Sequence, residues 1–503
     1  MGAMKCLITF LSLSLIAGSA NAEFKSSGVP ELKKKLDPIL TSKPMMGTKM
    51  SVLVEMVSGS RKLYSVTPNL TLHPASNTKL VTTAAALSLL GPTYRWRTDL
   101  AADKFENGVA QTLYLIGRGD PRFVSESLWK LIDDARFSGL KRVSGDLVID
   151  DSWFTSQRMA PGFNDKDQDS SYRAAAGAMS LNFNSVSVKI KPGHKVGEPP
   201  IVTFRPDSGH IILESSAKTT KRGRERLKLS ARAEGDRTAV KLSGTIPMNH
   251  RGLTTRRRID NPALYAGHAA RLFLKRAGIT VGGKVIIGKA PKKRRLLSRL
   301  RSRTLAEIIR DVNKLSNNFM AEHLVLTLGV EKAGVGDWKR GTRVVSDYLK
   351  RTFKIDGFRY KNGSGLFGTT AFSAQQLVTI LRGMAALHPP MPEYTSSLAV
   401  NGKDGTLRRR MKGMNHSLVR AKTGTLDGVV CLSGYFHFAD GQLGLFSILI
   451  NDIKGRPWPI WRIQDRVLEV LTQFRPKEAA GRSQGKSSAH PLPQKSSSKL
   501  KAK

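Results

Sequence analysis

Residues 74–91 read PASNTKLVTTAAALSLLG. The stretch predicts a helix from about Ser76 to Leu90, because alanine and leucine favour helix and Gly91-Pro92 stops it. Lys79 follows Ser76 by three positions, so the two side chains project from the same face of that helix. The helix N-terminus also favours developing negative charge on the Ser76 oxygen. The pattern suits a serine nucleophile whose proton is taken by a neighbouring amine.

Two further short motifs follow along the chain, Ser316-Asn317-Asn318 and Lys422-Thr423-Gly424. S-x-x-K, S-x-N and K-T-G, in that order, form the active-site set of serine acyltransferases that react with penicillin. Each motif is weak alone, because other S-x-x-K pairs occur by chance and a second S-x-N lies at 180–182. Helix caps are the alternative for Ser76 and Ser316, but the order of all three motifs favours catalysis.

Each motif residue has a role in this chemistry. Lys79 can act as a base only when neutral, and burial together with the like charge of Lys422, with Lys314 adding to it, would favour that form. Ser316 would relay a proton towards the leaving amine, and Asn318 would hold substrate amide or Lys79.

The strand that carries Lys422 completes the predicted site. The lysine charge suits a free C-terminal carboxylate of a substrate, and Thr423 and Gly424 lie beside it. Backbone N–H groups of Ser76 and Thr425 would form an oxyanion hole.

The composition is that of a globular protein of two or three domains: 503 residues, 40% hydrophobic and 24% charged. The formal net charge of +43 is unusual and favours anionic partners. Simple solubility or a host whose proteins are generally basic is the alternative explanation. Zinc-type cysteine clusters and H-E-x-x-H are absent from the sequence, so no metal and no cofactor is predicted.

The first 22 residues are predicted to be a signal peptide, with a lysine, an apolar run from 7 to 17 and small residues before a cleavage point after Ala22. We therefore expect an exported protein, periplasmic or associated with the cell wall, without a transmembrane anchor. Export makes anionic wall or membrane-surface polymers the expected partners of the basic surface and disfavours nucleic acid.

The remaining pattern predicts a mixed α/β chain interrupted in sequence. A strand hairpin at 50–56 and 62–66 precedes the helix at 76–90, and short β-like runs dominate from 96 to 290. Helices are predicted near 262–277, 305–312, 318–328, 336–351 and 374–387. Alternating strands follow near 417–423, 429–438 and 444–451, with a final helix near 461–474.

The chain resembles a known family, the low-molecular-mass class C penicillin-binding proteins, which are D-alanyl-D-alanine carboxypeptidases and endopeptidases. The likeness covers about 39–471 and rests on seven segments: PASNTK (74–79), GRGDP (117–121), GDLVIDD (145–151), SLN (180–182), GSGL (363–366), DGTLR (404–408) and KTGTL (422–426). Ser76 and Ser316 are 240 positions apart, which fits the two extra domains that this family inserts between the motifs.

The resemblance implies a penicillin-binding, β-lactamase-like transpeptidase domain with an antiparallel sheet and helices, interrupted by two nested β-rich domains. The expected boundaries are 23–95 and 290–475 for the catalytic domain, 96–197 and 247–289 for inserted domain II, and 198–246 for inserted domain III. Residues 476–503 are predicted to be a disordered basic tail.

The resemblance also implies a pocket that reads the amino-bearing side chain of the stem peptide. By local spacing its members fall on Asp167, Tyr172 and Arg410. Asp427 stands where the family often has glutamine, and Asn362 stands where it usually has aspartate; the first departure would alter substrate preference, and the second is expected to be structural.

The expected function is that of a serine D,D-carboxypeptidase or D,D-endopeptidase acting on peptidoglycan, with β-lactam antibiotics as covalent inhibitors. The alternative is a catalytically weak protein that retains the fold and binds or remodels peptidoglycan.

Overall fold

The structure is a computed structural model that describes residues 24–165, 169–387, 390–415 and 418–477. The predicted signal peptide and the tail after residue 477 lie outside the described residues. Within the described part, no helix is long and apolar enough to cross a membrane. The helices are α1 (Pro30–Leu40), α2 (Thr78–Leu90), α3 (Ser125–Phe137), α4 (Pro262–Arg276), α5 (Leu305–Lys314), α6 (Asn318–Ala333), α7 (Trp338–Phe353), α8 (Ala374–Ala386), α9 (Pro390–Ser396) and α10 (Trp458–Gln473).

A seven-stranded antiparallel sheet joins the two ends of the chain. Its order is β1-β3-β2-β24-β23-β22-β21. The strands are β1 (Ser26–Gly28), β2 (Lys49–Met56), β3 (Lys62–Val66), β21 (Ala399–Val400), β22 (Val419–Leu426), β23 (Val429–His437) and β24 (Leu443–Asn451). β2 pairs with β24 along its whole length, so that Met50 faces Ile450.

This sheet is covered by helices on both faces. Side chains alternate between the faces of a strand, and Leu53 packs with α2 and α5–α8 while its neighbours Val52 and Val54 pack with α1 and α10. On β24, Leu449 packs on the side of α2 and Ile448 packs on the side of α1 and α10. The predicted mixed α/β class is confirmed, with the sheet between two helical layers.

The region between α2 and α5 carries the remaining sheets and a hydrophobic core of its own. A five-stranded mixed sheet has the order β19-β9-β7-β4-β20, and a three-stranded sheet has the order β11-β10-β17. The strands of this region are β4 (Arg97–Ala102), β5 (Phe105–Glu106), β6 (Val109–Ala110), β7 (Leu113–Gly117), β8 (Arg142–Val143), β9 (Leu147–Asp150), β10 (Ser185–Lys191), β11 (Ile201–Arg205), β12 (Ile211–Ser215), β13 (Lys218–Thr220), β14 (Lys228–Glu234), β15 (Arg237–Ser243), β16 (Thr245–Pro247), β17 (Leu253–Arg258), β18 (Thr280–Val281), β19 (Val285–Ile287) and β20 (Arg295–Arg301).

The domain boundaries stay predictions, and two strands bear on them. β20 continues the five-stranded sheet of the inserted region to Arg301, beyond the predicted domain boundary at residue 290. β11 belongs to one sheet with β10 and β17, so the predicted boundary between 197 and 198 separates strands that pair with each other.

Candidate active site

Ser76 lies in a 3₁₀ turn, Ala75–Asn77, that leads directly into α2. Ala75 has a φ of 45°, a left-handed conformation that non-glycine residues adopt at a cost of about 1–3 kcal/mol. The turn is held by the His73 ring, whose Nδ1 accepts the Ala75 N–H at 3.1 Å, and by the Thr78 hydroxyl, which donates to the Ala75 carbonyl at 2.8 Å. His73 therefore positions the turn before the nucleophile.

The Lys79 amine lies against the Ser76 hydroxyl, as the sequence spacing predicts. Its Nζ is 2.8 Å from Ser76 Oγ, 2.7 Å from Asn318 Oδ1 and 2.9 Å from the Ser364 carbonyl oxygen. The side chain is fully buried. Three oxygens from three different segments of the chain therefore fix this amine beside the nucleophile.

Glu322, on α6, supports one of those three oxygens. Its carboxylate accepts the backbone N–H groups of Gly363 and Ser364 at 3.0 and 2.9 Å and the Trp338 indole N–H at 2.8 Å. Burial raises the pKa of the Glu322 carboxyl, and these hydrogen bonds act in the opposite direction. Every one of the partners is a donor, so the contacts favour the ionised carboxylate. The loop that presents the Ser364 carbonyl to Lys79 is thus tied to a buried negative charge.

Ser316 and Lys422 form a second pair across the cleft. Lys422 Nζ is 2.9 Å from Ser316 Oγ and 2.8 Å from the Thr423 carbonyl oxygen. Ser316 has a φ of 56°, so both hydroxyl-bearing turns of the site contain a left-handed residue. Lys314, which the sequence offered as a third like charge, pairs instead with Asp404 at 2.5 Å.

Gly424 explains how β22 reaches the nucleophile. A Cβ at this position would lie 2.9 Å from the Pro74 carbonyl oxygen and 3.1 Å from the Ser76 amide nitrogen. Only glycine lets the strand pass this close to the turn, and the approach brings Thr425 to the same cavity as Ser76.

Burial sets the protonation of both lysines. It lowers the pKa of Lys79 to about 7, with the Glu322 carboxylate acting in the opposite direction. Burial and the like charge of Lys79 lower the pKa of Lys422 well below its usual value. The two buried lysines therefore disfavour carrying two positive charges at once, and a substrate carboxylate would compensate the second.

The cleft has two arms that meet at Ser76, Ser316 and Thr425. One is a cavity of about 490 Å³ that is also lined by Tyr172, Asn318 and Asp427. The other, of about 520 Å³, is lined by Thr406, Arg409, Arg410, Thr423 and Trp461. A substrate bound at Ser76 can extend into both.

Residues 32–463 match the sequence profile of the D-Ala-D-Ala carboxypeptidase 3 (S13) family. The chain belongs to this family. The resemblance to class C penicillin-binding proteins is thereby confirmed, and with it the activity of a serine D,D-peptidase.

Relatives of this S13 peptidase cover nearly all of it. The D-alanyl-D-alanine carboxypeptidase of an Actinomadura species is 34% identical over 487 residues, which is 93% of this chain and 89% of that protein. The D-alanyl-D-alanine carboxypeptidase DacB of Haemophilus influenzae is 23% identical over 432 residues, 82% of this chain and 87% of that protein. The crystal structure of penicillin-binding protein 4 from the same organism superposes with a TM-score of 0.76 at 22% identity, covering 88% of this chain and 99% of that one, which shows a common fold.

The predicted side-chain pocket of the S13 peptidase is only partly assembled. Tyr172 and Asp427 line one cavity, while Asp167 lies outside the described residues. Arg410 is placed in the other arm, where its guanidinium donates to Asp465 at 2.6 Å and to the Trp461 carbonyl at 3.0 Å. The structure therefore does not bring Arg410 together with Tyr172 and Asp427.

Sequence reasoning missed Glu322, Arg409 and Trp461. Glu322 is the one acidic residue in the largely apolar run 319–328, four residues after Asn318, and an acidic side chain there is the one signal that could have found it. Arg409 and Trp461 carry no such signal, since one lies in a run of three arginines and the other starts a predicted helix. Asn362 is structural as expected: its side chain accepts the Gly365 N–H at 2.8 Å and donates to the Pro161 carbonyl at 2.9 Å, and aspartate could not make the second bond.

Proposed function

We propose that this S13 peptidase hydrolyses D-Ala-D-Ala termini or D-Ala cross-links of peptidoglycan through an acyl-enzyme on Ser76. The observation that best supports this proposal is the 2.8 Å contact between Ser76 Oγ and the buried amine of Lys79. An amine whose pKa is lowered to about 7 is neutral in a large share of molecules at neutral pH, and only the neutral form can accept the hydroxyl proton.

In the acylation step Ser76 Oγ attacks the carbonyl carbon of the penultimate D-alanine while its proton passes to Lys79. The negative charge that develops on the carbonyl oxygen faces the N–H groups of Ser76 and Thr425. The C–N bond then breaks, the leaving nitrogen takes a proton from Ser316, and Lys422 returns one to Ser316. Lys79 then passes on the proton that it took from Ser76, which replaces the one that Lys422 gave up, so that both amines regain their starting forms. Water attacks the ester carbonyl with the neutral Lys79 as base. The proton passes on to the Ser76 oxygen as the ester C–O bond breaks, which releases the acyl peptide and restores Ser76.

The arm lined by Thr423 and Arg409 suits the leaving group. A terminal D-alanine carries a carboxylate, and Thr423 and the exposed Arg409 line the arm where it would lie. The buried amine of Lys422 lies behind it, 2.9 Å from Ser316 Oγ. Arg410 is held by Asp465, so its charge is already compensated. Arg409 is therefore the arginine that we assign to the substrate carboxylate.

The arm lined by Tyr172 and Asp427 suits the acyl part of the stem peptide. An aromatic ring and a carboxylate favour a side chain that ends in an ammonium group, and we propose Asp427 as the residue that selects for it. Asp167 is assigned to the same pocket on the family resemblance alone.

The same geometry would accept a β-lactam, because its amide carbonyl and carboxylate mimic those of the D-Ala-D-Ala end. A crystal structure of the Haemophilus influenzae relative is a complex with a β-lactam. We propose β-lactams as covalent inhibitors of this chain and the periplasm or cell wall as its place of action, since its substrate lies there. Anionic wall or membrane-surface polymers are proposed partners of its basic surface.

The test is covalent labelling with a fluorescent penicillin. The parent protein should be labelled and the Ser76→Ala variant should not, while Ser138→Ala, at an exposed chance S-x-x-K pair, should behave like the parent. An unlabelled parent, or labelling that survives in Ser76→Ala, would contradict the proposal. Digestion of cross-linked and uncross-linked muropeptides then divides endopeptidase from carboxypeptidase activity.

A further inference from the structure

A cavity of about 750 Å³ lies on the inserted region, separate from the two arms at Ser76. The sheet β11-β10-β17 forms its floor, and the start of α3 and the end of α4 form its sides. Arg205, Arg256 and Arg276 line it together with the rings of Phe183 and Phe273.

The strand register places two of these arginines in one row. Ser187 on β10 faces Arg205 on β11 and Arg256 on β17. Directly paired residues point to the same face of a sheet, so the two arginines flank Ser187 at about 10 Å from each other, two strand spacings. The neighbouring Val186 and Val188 are fully buried, so the other face belongs to the core.

The three arginines that line the cavity are exposed. Among the described residues, Arg205, Arg256 and Arg276 make no ion pair, whereas Arg299 pairs with Asp99 through two hydrogen bonds of 2.7 and 2.8 Å. Two carboxylates, those of Glu126 and Asp207, line the cavity against the three guanidinium groups. The net charge of the cavity lining is positive, and the planar guanidinium group of arginine can bind a carboxylate through two parallel hydrogen bonds.

An exposed tryptophan extends the cavity. A smaller depression of about 390 Å³ shares Phe273 and Arg276 with it and is lined by Trp129, whose side chain is 58% exposed. A flat indole ring open to solvent can stack on the apolar face of a sugar ring. Sugar rings and carboxylates occur together in a glycan strand that carries stem peptides.

The cavity shares a wall with the active site. The Phe183 ring meets the Phe319 ring edge to face, with centroids 6.0 Å apart, and Phe319 follows Asn318 directly. Phe183 and its neighbours Asn182 and Asn184 have φ values of 60°, 51° and 48°, three consecutive left-handed residues without a glycine. Such strain is retained where the surrounding structure requires a fixed backbone, as at binding sites.

We propose that the groove formed by Trp129, Phe273, Arg276, Arg205 and Arg256 binds a peptidoglycan strand outside the two arms of the cleft at Ser76. The indole and phenyl rings contact sugar, and the arginine row binds carboxylates of the stem peptides. This inference rests on the proposed function, since it deepens the recognition of the same polymer.

The test compares two double variants that remove equal charge. Arg205→Ala/Arg256→Ala alters the groove. Lys332→Ala/Arg351→Ala alters exposed cations on α6 and α7, for which the structure gives no ion pair among the described residues. Each is measured for co-sedimentation with isolated peptidoglycan stripped of phosphate-containing polymers, for turnover of a soluble D-Ala-D-Ala peptide and for penicillin labelling.

The groove variant should sediment about tenfold more weakly than the parent, because losing charge-assisted hydrogen bonds worth about 1.4 kcal/mol lowers affinity by that factor. Its turnover of the soluble peptide and its labelling should stay within about twofold of the parent, and Trp129→Ala should repeat this split. If both double variants lose the same share of peptidoglycan binding, total charge alone is responsible and the proposal is wrong. Unchanged sedimentation of the groove variant would also overturn it. If the parent protein sediments with peptidoglycan but is not labelled by penicillin, the proposed function is contradicted and the groove proposal is not.

Discussion

The chemistry of Ser76 depends on one amine whose protonation the protein controls by burial. Lys79 loses its hydration completely and receives three oxygen partners in return, which hold the amine in place. Neutral and charged forms are therefore close in free energy near neutral pH, and the rate of acylation should report the balance between them.

The second-order rate of penicillin labelling should rise about tenfold per pH unit below pH 7 and level off above it. The folded-state pKa of Lys79 is lowered from 10.5 to about 7, so the base is neutral above pH 7 and protonated below it. The same shift makes burial of Lys79 cost stability below pH 7, and that cost falls as the pH rises towards 10.5. Stopped-flow labelling from acid to alkaline pH measures the profile, and a rate independent of pH would contradict the role of Lys79.

Glu322 should act on Lys79 as a positioning residue. Glu322→Gln removes the buried negative charge, so the pKa of Lys79 should fall further and the rising limb of the labelling profile should move to lower pH. The plateau should also drop about tenfold, since one amide N–H group would face a backbone donor of the Gly363-Ser364 loop.

Trp338→Phe is the matched control for Glu322→Gln. It removes the indole donor to the same carboxylate, at 2.8 Å, but leaves the charge and the loop contacts. The rising limb of its labelling profile should lie at the same pH as in the parent protein. A purely structural role for Glu322 would lower the plateau in both variants without moving either limb.

Among the elements, β22 passes close to the turn that contains Ser76, and it can do so because residue 424 is glycine. Gly424→Ala would place a methyl group 2.9 Å from the Pro74 carbonyl oxygen, so the strand or the turn must move. Labelling should slow by roughly a hundredfold, since small displacements of reacting groups cost about that much. The control is Gly413→Ala, where nothing lies within 4 Å of the added Cβ, and a normal rate in Gly424→Ala would refute this account.

The loop that carries Arg409 offers a test of leaving-group recognition. Arg409→Ala should raise KM for a D-Ala-D-Ala peptide about fivefold and change kcat less, because a partly exposed ion pair contributes about 1 kcal/mol. Arg408→Ala removes the neighbouring charge, which does not line either arm of the cleft, and should leave both constants near the parent values. Equal effects of the two variants would argue against a specific role for Arg409.

The helices show what patterning can and cannot predict. α2, α6 and α8 are long and apolar, and the sequence marks where they begin or end. Their predicted positions are right to within a few residues. α3 was missed because its apolar pattern is blurred: Trp129 and Phe137 are 58% and 94% exposed on the outer side of an amphipathic helix. α1 was missed because Pro38 lies inside it.

For the whole molecule, the net charge of +43 should make binding to the polymer depend on salt. Raising sodium chloride from roughly 50 to 500 mM shortens the Debye length several-fold, so co-sedimentation with peptidoglycan should weaken steeply. Penicillin labelling should change little, because the site lysines are buried and poorly screened. Salt-independent sedimentation would show that long-range attraction plays no part.

The ordered motifs predicted which residues meet across the molecule, since Ser76, Lys79, Asn318, Ser316 and Lys422 are bonded to one another in two groups. They could not predict the environment of those residues. Lys314 pairs with Asp404, and Arg410 pairs with Asp465. Both ion pairs join segments that only the fold brings together.

The pairing of β2 with β24 also dictates when the enzyme becomes active. Residues 49–56 pair with residues 443–451, the last strand of the described chain to be made, so the sheet that carries Lys422 cannot be completed beside the turn of Ser76 before then. The inserted region has its own core and can form earlier, but a chain still in synthesis has no assembled active site. Catalysis therefore cannot begin until the strand at 443–451 has been made.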